Sequence, residues 1–242
     1  MLNTEFKRAV VPIVGDRHCV VLDNVLTAPE LLVALSSHHL EAFLPVRHNG
    51  YPGVELPLPD AALTPFIDLF VKEAGAALGV SSVIAAAGRL SMVTRGADEL
   101  TPLQRVCHRD RLGAGTGQVA AAGVLYLFED PALGGTAFFR PRLGEERANQ
   151  LIEKLSSATE EEADELLGSH RCYLASSNAH FEHLVTVAPG FNRLIFYDGS
   201  VFHSSAISAP EKLSADPRRG RLTLNLFFLG QQTKAPGPYS NG

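Results

Sequence analysis

The chain has 242 residues, of which 45% are hydrophobic, so it is long and apolar enough to bury a sizeable core. A formal net charge of −5 disfavours a general binder of nucleic acids or of anionic membranes. The three cysteines lack metal-type spacing, which favours reduced thiols in a cytoplasmic protein. No apolar run is long enough for a membrane helix, and the N-terminus lacks the apolar core of a signal peptide. We therefore expect a single domain over residues 1–242.

The N-terminal part, residues 1–89, is predicted to supply strands and helices that pack on the outside of a sheet. Pro29 suits the first turn of a helix and precedes three leucines at helical spacing. A second helix is predicted after Thr64-Pro65, with an apolar stripe that ends before Gly79. Between the two helices, the turn-rich segment 45–59 lacks periodicity, and we weigh a lid against an ordinary surface connection.

Residues 90–230 are predicted to form the core of the fold. This part contains short apolar segments separated by turn signals, at residues 90–94, 119–128, 136–140, 184–188, 193–197, 201–207 and 222–229. Segment 119–128 is apolar on both faces, which predicts a central strand covered on both sides. The pattern favours a mainly β fold with flanking helices, namely a double-stranded β-helix, or jelly roll, with a cupin-like core.

One helical insertion is predicted near residues 145–168, where apolar residues share a helical face. Thr159 and Glu162 within it have the spacing of a capping box. Further along, Asp198-Gly199-Ser200 is a tight-turn sequence and predicts a hairpin just before His203. Residues 231–242 are rich in proline and glycine and predict an irregular tail.

A metal site is predicted from His108, Asp110 and His203. On a β-strand, residues i and i+2 point to the same face, so His108 and Asp110 can bind one ion from one side. His203 is the predicted third ligand. Two neutral imidazoles and one carboxylate on one face of Fe(II) leave other positions open, as in non-heme iron oxygenases. A lone His-x-Asp pair would be weak evidence, since the chain has nine histidines.

The last predicted strand suggests a site for a carboxylate. Arg221 and Thr223 share a strand face, and a guanidinium beside a hydroxyl suits an acid held by charge-assisted hydrogen bonds. Asn225 lies on the same face and is a candidate contact to cosubstrate or substrate, although a cross-strand hydrogen bond is a common alternative for such a residue.

The order His-x-Asp, distant His, then Arg-x-Thr resembles the 2-oxoglutarate- and Fe(II)-dependent oxygenases. The segment Val124-Leu125-Tyr126-Leu127, followed by Gly134-Gly135-Thr136-Ala137-Phe138, is most similar to their prolyl 4-hydroxylase-like branch. The resemblance implies that Fe(II) binds His108, Asp110 and His203, and that Arg221, Thr223 and Tyr126 hold the far carboxylate of 2-oxoglutarate. O2 is the second cosubstrate.

The resemblance also implies the reaction, in which a C–H bond of a small-molecule or peptidyl substrate is hydroxylated with release of succinate and CO2. Retention of Asp110 favours hydroxylation over halogenation, because related halogenases replace this carboxylate with a small residue. A nucleic-acid demethylase is disfavoured, since Phe227 stands where that branch has a second arginine.

Two alternatives stay open at this stage. A cupin-type iron dioxygenase without 2-oxoglutarate would leave Arg221 and Tyr126 without a task. A non-catalytic jelly-roll domain that binds a ligand or partner is the other alternative, because fold does not imply function. The sequence leaves a homodimer open and does not identify the substrate.

Overall fold

In the computed structural model, residues 1–45, 50–110 and 114–233 are described. The strands of these ranges are β1 Lys7–Val14, β2 Arg17–Asp23, β3 Leu44–Pro45, β4 Gly53–Pro57, β5 Val80–Val93, β6 Gln118–Tyr126, β7 Thr136–Pro141, β8 Phe181–Val187, β9 Arg193–Asp198, β10 Phe202–Ser205 and β11 Arg221–Gln232. The α-helices are α1 Glu30–His38, α2 Thr64–Phe70, α3 Gly144–Ser157 and α4 Glu160–Leu167.

The strands form two antiparallel sheets. The large sheet has the order β1-β2-β9-β6-β11-β5-β4-β3, and the small sheet has the order β10-β7-β8. Strands that follow each other in the chain repeatedly lie in different sheets, because β6 enters the large sheet, β7 and β8 the small one, β9 the large one and β10 the small one. This alternation is that of a jelly roll, so the predicted fold class is confirmed.

The outer face of the large sheet is apolar and is covered by helices. Alternate residues of β11, namely Leu222, Leu224, Leu226 and Phe228, belong to a buried cluster that also contains Phe66, Leu69 and Phe70 of α2. The Phe70 and Phe228 rings are stacked with their centroids 4.3 Å apart. The prediction that N-terminal helices pack on the outside is therefore confirmed for α2, whose helical path continues to the left-handed Gly79 (φ 68°).

The helical insertion is also confirmed, as the helices α3 and α4. Thr159 and Glu162 form the predicted capping box at the start of α4. Arg105 fastens this insertion to the segment before His108. Its guanidinium contacts Asp164 Oδ1 at 2.6 Å and donates to the carbonyl of Gly168 at 2.5 Å.

The structure differs from two predicted boundaries. The core begins at Val80 rather than at residue 90, because β5 pairs with β11 along nearly its whole length despite its serines and alanines, which favour strands weakly. The segment 45–59, predicted to be an irregular lid or surface connection, contains a strand of the large sheet. Residues 46–49 lie outside the described residues, but Gly53–Pro57 is strand β4, paired to β5 with Glu55 buried.

The turn at Asp198-Gly199-Ser200 does not make a hairpin. The strand before it, β9, pairs with β2 and β6, whereas the following β10 pairs with β7, so the turn carries the chain between sheets. Of the predicted irregular tail, Gln231 and Gln232 still belong to β11, and residues 234–242 lie outside the described residues.

A search of the helices in the described ranges found none that combines the length and the apolar character needed to cross a membrane.

Candidate metal centre and its cavity

His108 and His203 are brought together by their backbones. They form an isolated antiparallel bridge in which each N–H donates to the other's carbonyl at 2.9 Å. Directly opposed residues of this kind place their side chains on the same face, and the two imidazole centroids lie 4.4 Å apart. His203 belongs to β10, but His108 lies outside any longer strand, so the expected strand around His108 is reduced to this single bridge.

Asp110 completes the cluster from the same segment. Its backbone N–H donates to the carbonyl of Gly199 at 2.8 Å. A Cβ atom at Gly199 would lie 2.9 Å from Asp110 Cβ, so a larger residue in the inter-sheet turn would push the carboxylate away. The Asp110 oxygens lie 3.8 Å from His108 Nε2 and 3.3 Å from His203 Nε2. One ligand atom from each of the three residues lies within 4.8 Å of the other two.

The donor set fits a metal ion of the kind predicted. Asp110 Oδ2 is buried and has no well-aligned hydrogen-bond donor among the described residues, a costly state for a carboxylate that a cation would relieve. His203 Nδ1 lies 2.8 Å from the carbonyl of Val201. Because a carbonyl can only accept, Nδ1 carries a proton, so Nε2, which faces Asp110, is the nitrogen through which His203 can bind a metal.

The pKa values of the cluster reflect its crowding. Desolvation by the surrounding protein lowers the pKa of His108 to about 4, and the positive charge of His203 contributes to this shift. The side chain of His108 nevertheless keeps 61% of its surface accessible. Burial of His203 opposes its charged form, but the Asp110 carboxylate outweighs this and raises the pKa of His203. Burial of Asp110 is likewise outweighed by His203, so the pKa of Asp110 is lowered. At neutral pH, His108 and Asp110 are therefore in the states that a metal requires.

The cluster lines a cavity of about 840 Å³ between the sheets and the helical insertion. Arg221 lines the same cavity and is only 3% exposed. Its Nε donates to the carbonyls of Leu133 and Gly134, at 2.8 and 3.2 Å. Within the described part of the chain, no carboxylate lies within ion-pair distance of Arg221, and its terminal nitrogens make no hydrogen bond. The guanidinium thus has charge and donors available for an anion.

The Gly134-Gly135 turn explains how Arg221 is held. Gly134 has a φ of 84°, and a Cβ there would lie 2.4 Å from the backbone of Ala206. The turn can therefore pack tightly against the chain after β10 only with glycine. This close packing directs the two carbonyls that accept from the arginine.

The structure places the other predicted cosubstrate residues at different depths. Asn225 lines the cavity. Thr223 and Tyr126 are cross-strand partners, are fully buried and do not line it. Thr223 Oγ1 lies 3.4 Å from the carbonyl of Ser91, and the Tyr126 hydroxyl lies 2.8 Å from Thr136 Oγ1, which does line the cavity. Arg221 is near enough to Tyr126 to lower its pKa, although burial raises that pKa more strongly.

The cavity residues that were missed from the sequence include Tyr51, Glu55 and Arg89. Glu55 is 4% exposed and pairs with Arg89 Nη1 at 3.0 Å. Burial raises the pKa of Tyr51, and the charge of Arg221 opposes part of this rise. The sequence does contain a pattern that predicts an inward-facing Arg89. On β5, Arg89 and Ser91 alternate with apolar residues, as Arg221 and Thr223 do on β11.

The residue between two of the predicted ligands, Arg109, connects the cluster to α3. Its guanidinium pairs with Glu145, donates to Asn149 Oδ1 at 2.5 Å, and lies 4.4 Å from the centroid of Phe202. Asn149 and other α3 residues line the cavity. The helical insertion therefore forms one wall of the site.

Solved structures similar to this chain include the following three. A prolyl 4-hydroxylase from Phytophthora capsici shares 14% identity at a TM-score of 0.45, with 88% of this chain and 58% of that chain covered. The epimerase SnoN from nogalamycin biosynthesis shares 14% at 0.45, with 92% and 86% covered. HygX from Streptomyces hygroscopicus, solved with nickel and 2-oxoglutarate bound, shares 14% at 0.45, with 88% and 82% covered.

This chain thus spans little more than half the length of the Phytophthora enzyme. The fold assignment above rests on the sheet topology of this chain and not on these likenesses. A search of curated proteins found no match. One family model, described as a family of unknown function (DUF6445), matches residues 4–228. The match covers most of the sequence, and the chain belongs to that family.

Proposed function

We propose that this protein is an Fe(II)- and 2-oxoglutarate-dependent oxygenase that hydroxylates an unactivated C–H bond and releases succinate and CO2. One observation carries the proposal. A convergent His-Asp-His set and a buried arginine without a carboxylate partner among the described residues line one cavity. A metal would stabilise the first group and an anion the second, and a 2-oxo acid that chelates the metal provides such an anion.

In this proposal, His108, Asp110 and His203 hold the iron. Bound Fe(II) and 2-oxoglutarate supply the oxidising chemistry with O2. The chain positions the ligands through the His108–His203 backbone bridge and through the proton that His203 Nδ1 donates to Val201. Because this proton is engaged, His203 presents only its Nε2 lone pair to the site.

Arg221 would bind the far carboxylate of 2-oxoglutarate. Its Nε is engaged by two carbonyls, which orients the guanidinium and leaves the terminal nitrogens for a carboxylate. Tyr126 and Thr136 would act on the same carboxylate as one hydrogen-bonding unit, since a Thr136 hydroxyl that accepts from Tyr126 keeps its own proton to donate into the cavity. Thr223, two residues from Arg221 on the same face of β11, would support the arginine, and Asn225 would contact cosubstrate or substrate in the cavity.

The oxygenase proposal accounts for residues that its rivals do not use. A cupin-type dioxygenase without 2-oxoglutarate has no task for Arg221, whose burial without a carboxylate partner costs free energy. The carboxylate at Asp110 supports hydroxylation, as it would occupy the iron position that a halide needs.

Anaerobic addition of Fe(II) and then 2-oxoglutarate tests the proposal. We expect a weak visible absorption band when the keto acid chelates the iron, and succinate once O2 is admitted. The matched control is Arg140→Ala, which removes an exposed arginine paired with Glu182 outside the cavity and should leave both signals unchanged. Protein that binds iron but gives neither band nor succinate would favour the non-catalytic binding domain.

A further inference from the structure

A second arginine of the cavity, Arg89, has unused donors. It lies on β5 with 29% of its side chain exposed, and it lines the cavity together with the metal ligands. Its contacts with the described residues are one ion pair, from Nη1 to Glu55, and one stacking contact, with the guanidinium carbon 4.5 Å from the centroid of Phe227. A guanidinium has five N–H donors in a planar fork, and stacking leaves the edges of that plane accessible.

The surroundings hold this guanidinium in one place. Glu55 is 4% exposed and also accepts from Ser91 Oγ at 3.3 Å, so the acid that anchors Arg89 is itself fixed. Asn225 is the cross-strand neighbour of Arg89 and also lines the cavity. Its side chain makes no hydrogen bond to the described part of the chain. Arg89 and Asn225 therefore present a group of polar donors on the floor of the cavity.

This group lies apart from the proposed cosubstrate arginine. Arg221 pairs with Val93 on β5, and Arg89 is four residues further along the same strand. At about 3.3 Å per residue, the two strand positions are roughly 13 Å apart. The two guanidinium groups also have separate anchors, the carbonyls of Leu133 and Gly134 for Arg221 and the carboxylate of Glu55 for Arg89, so one small anion held by Arg221 and the metal would leave Arg89 for a different molecule.

The opposite wall of the cavity carries an apolar patch, although Gln104, Asn149, Glu153 and Ser156 also line this side. The patch includes Leu103, Val106, Ile152 and Leu174, from the helical insertion and the segments beside it. A ligand that satisfies both walls carries an acid or carbonyl at one end and an apolar body at the other. Among such groups, a carboxylate matches the planar fork of arginine with two parallel hydrogen bonds.

We propose that Arg89, anchored by Glu55 and stacked on Phe227, binds the carboxylate of the primary substrate, which is a small carboxylic acid with an apolar body. This inference rests on the proposed function, because it gives Arg221 to 2-oxoglutarate. It makes Arg89 a substrate-binding residue that selects acids over the corresponding neutral compounds.

Calorimetric titrations under anaerobic conditions test the inference. The probes are phenylacetate and hexanoate, each beside its own primary amide, added to protein with Fe(II) and saturating 2-oxoglutarate. We expect each acid to bind at least about tenfold more tightly than its amide, as suits a hydrogen bond between charged groups. Arg89→Gln should remove this preference and keep the 2-oxoglutarate affinity within about twofold. Arg140→Gln should change neither quantity.

A second variant keeps the test decisive if Arg89→Gln folds poorly because Glu55 loses its partner. Glu55→Gln leaves Arg89 in place and removes the carboxylate that competes for it. We expect this variant to bind the acids severalfold more tightly, whereas an ion pair with only a structural role would make acid binding weaker or leave it unchanged. Circular dichroism melts of both variants report their folding.

The two proposals can fail separately. If the wild type binds 2-oxoglutarate but binds acids and amides equally, or if Glu55→Gln fails to tighten acid binding, the assignment of Arg89 is overturned and the oxygenase proposal stands. If the wild type binds no 2-oxoglutarate, the oxygenase proposal fails, and the substrate assignment falls with it.

Discussion

The two faces of β11 differ in what they contribute. Leu222, Leu224, Leu226 and Phe228 point outward into an apolar cluster that the helices cover. The alternate residues face the other way, and Arg221, Asn225 and Phe227 line the cavity. Neighbouring residues of one strand thus serve different purposes. The outer face supplies apolar burial that stabilises the fold, and the inner face carries polar groups that burial alone would disfavour.

This difference teaches how the polar cavity is tolerated. A strand paired on both sides has its backbone groups satisfied whichever side chains it carries, and β11 pairs with both β5 and β6. The hydrophobic packing of the outer face can therefore offset buried arginine and glutamate on the inner one. Changes on the inner face should affect binding first, and changes on the outer face should affect stability first.

The largest expected effect comes from removing a metal ligand. His203→Ala should weaken Fe(II) binding by more than about a hundredfold, since even supporting residues around a metal change affinity by 10- to 100-fold. Metal content after equilibrium dialysis measures it. The control is His183→Ala, which removes a partly buried histidine that contacts Thr186 outside the cavity. Iron binding that is equal in the two variants would exclude His203 from the site.

A change on the outer face should destabilise the fold without touching the site. Phe228 is 1% exposed and stacks on Phe70, so Phe228→Ala should cost about 3 to 5 kcal/mol in the free energy of unfolding. Chemical denaturation measures this loss. The adjacent Phe227→Ala is a matched control on the inner face and should cost clearly less, because Phe227 is only partly buried. Equal losses would contradict the division between the faces.

A change on the inner face should show the opposite pattern. Arg221→Ala should weaken 2-oxoglutarate binding by about 2 to 5 kcal/mol, since truncating one partner of a buried charged pair strands the other. Iron binding should change much less. Calorimetry with each ligand separates the two, and Arg140→Ala serves as the exposed-arginine control. Parallel loss of iron and 2-oxoglutarate would indicate misfolding, and an unchanged 2-oxoglutarate affinity would remove Arg221 from the site.

The smallest expected effect concerns the hydrogen-bonded hydroxyls of Tyr126 and Thr136, of which only Thr136 lines the cavity. Tyr126→Phe should weaken 2-oxoglutarate binding by about 0.5 to 1.5 kcal/mol, the value of one ordinary hydrogen bond. Thr136→Val should cost a similar amount, and the double variant should cost less than the sum if the two hydroxyls act as a unit. Strictly additive losses would show that Tyr126 and Thr136 act independently.

The sequence predicted those features that local patterns determine. Alternation on β11 identified its polar inner residues, and the capping box at Thr159 identified the start of α4. The sequence did not predict that Glu55 is buried at the cavity, because a glutamate in a short turn-rich segment gives no sign of burial. Its position depends on pairing with β5, whose own course depends on β11, and such distant register is not encoded locally. The metal-ligand roles of His108, Asp110 and His203 remain predictions, although their side chains meet.

The bridge between His108 and His203 has a consequence for how members of this family could diverge. The helical insertion lies between these residues in the chain, yet their separation is set by two backbone hydrogen bonds and not by the length of chain that joins them. Residues 144–167 could therefore be lengthened, shortened or replaced while the two imidazoles kept their spacing. Because α3 forms a wall of the cavity, such a change would alter which molecules fit while the cluster of His108, Asp110 and His203 stayed the same.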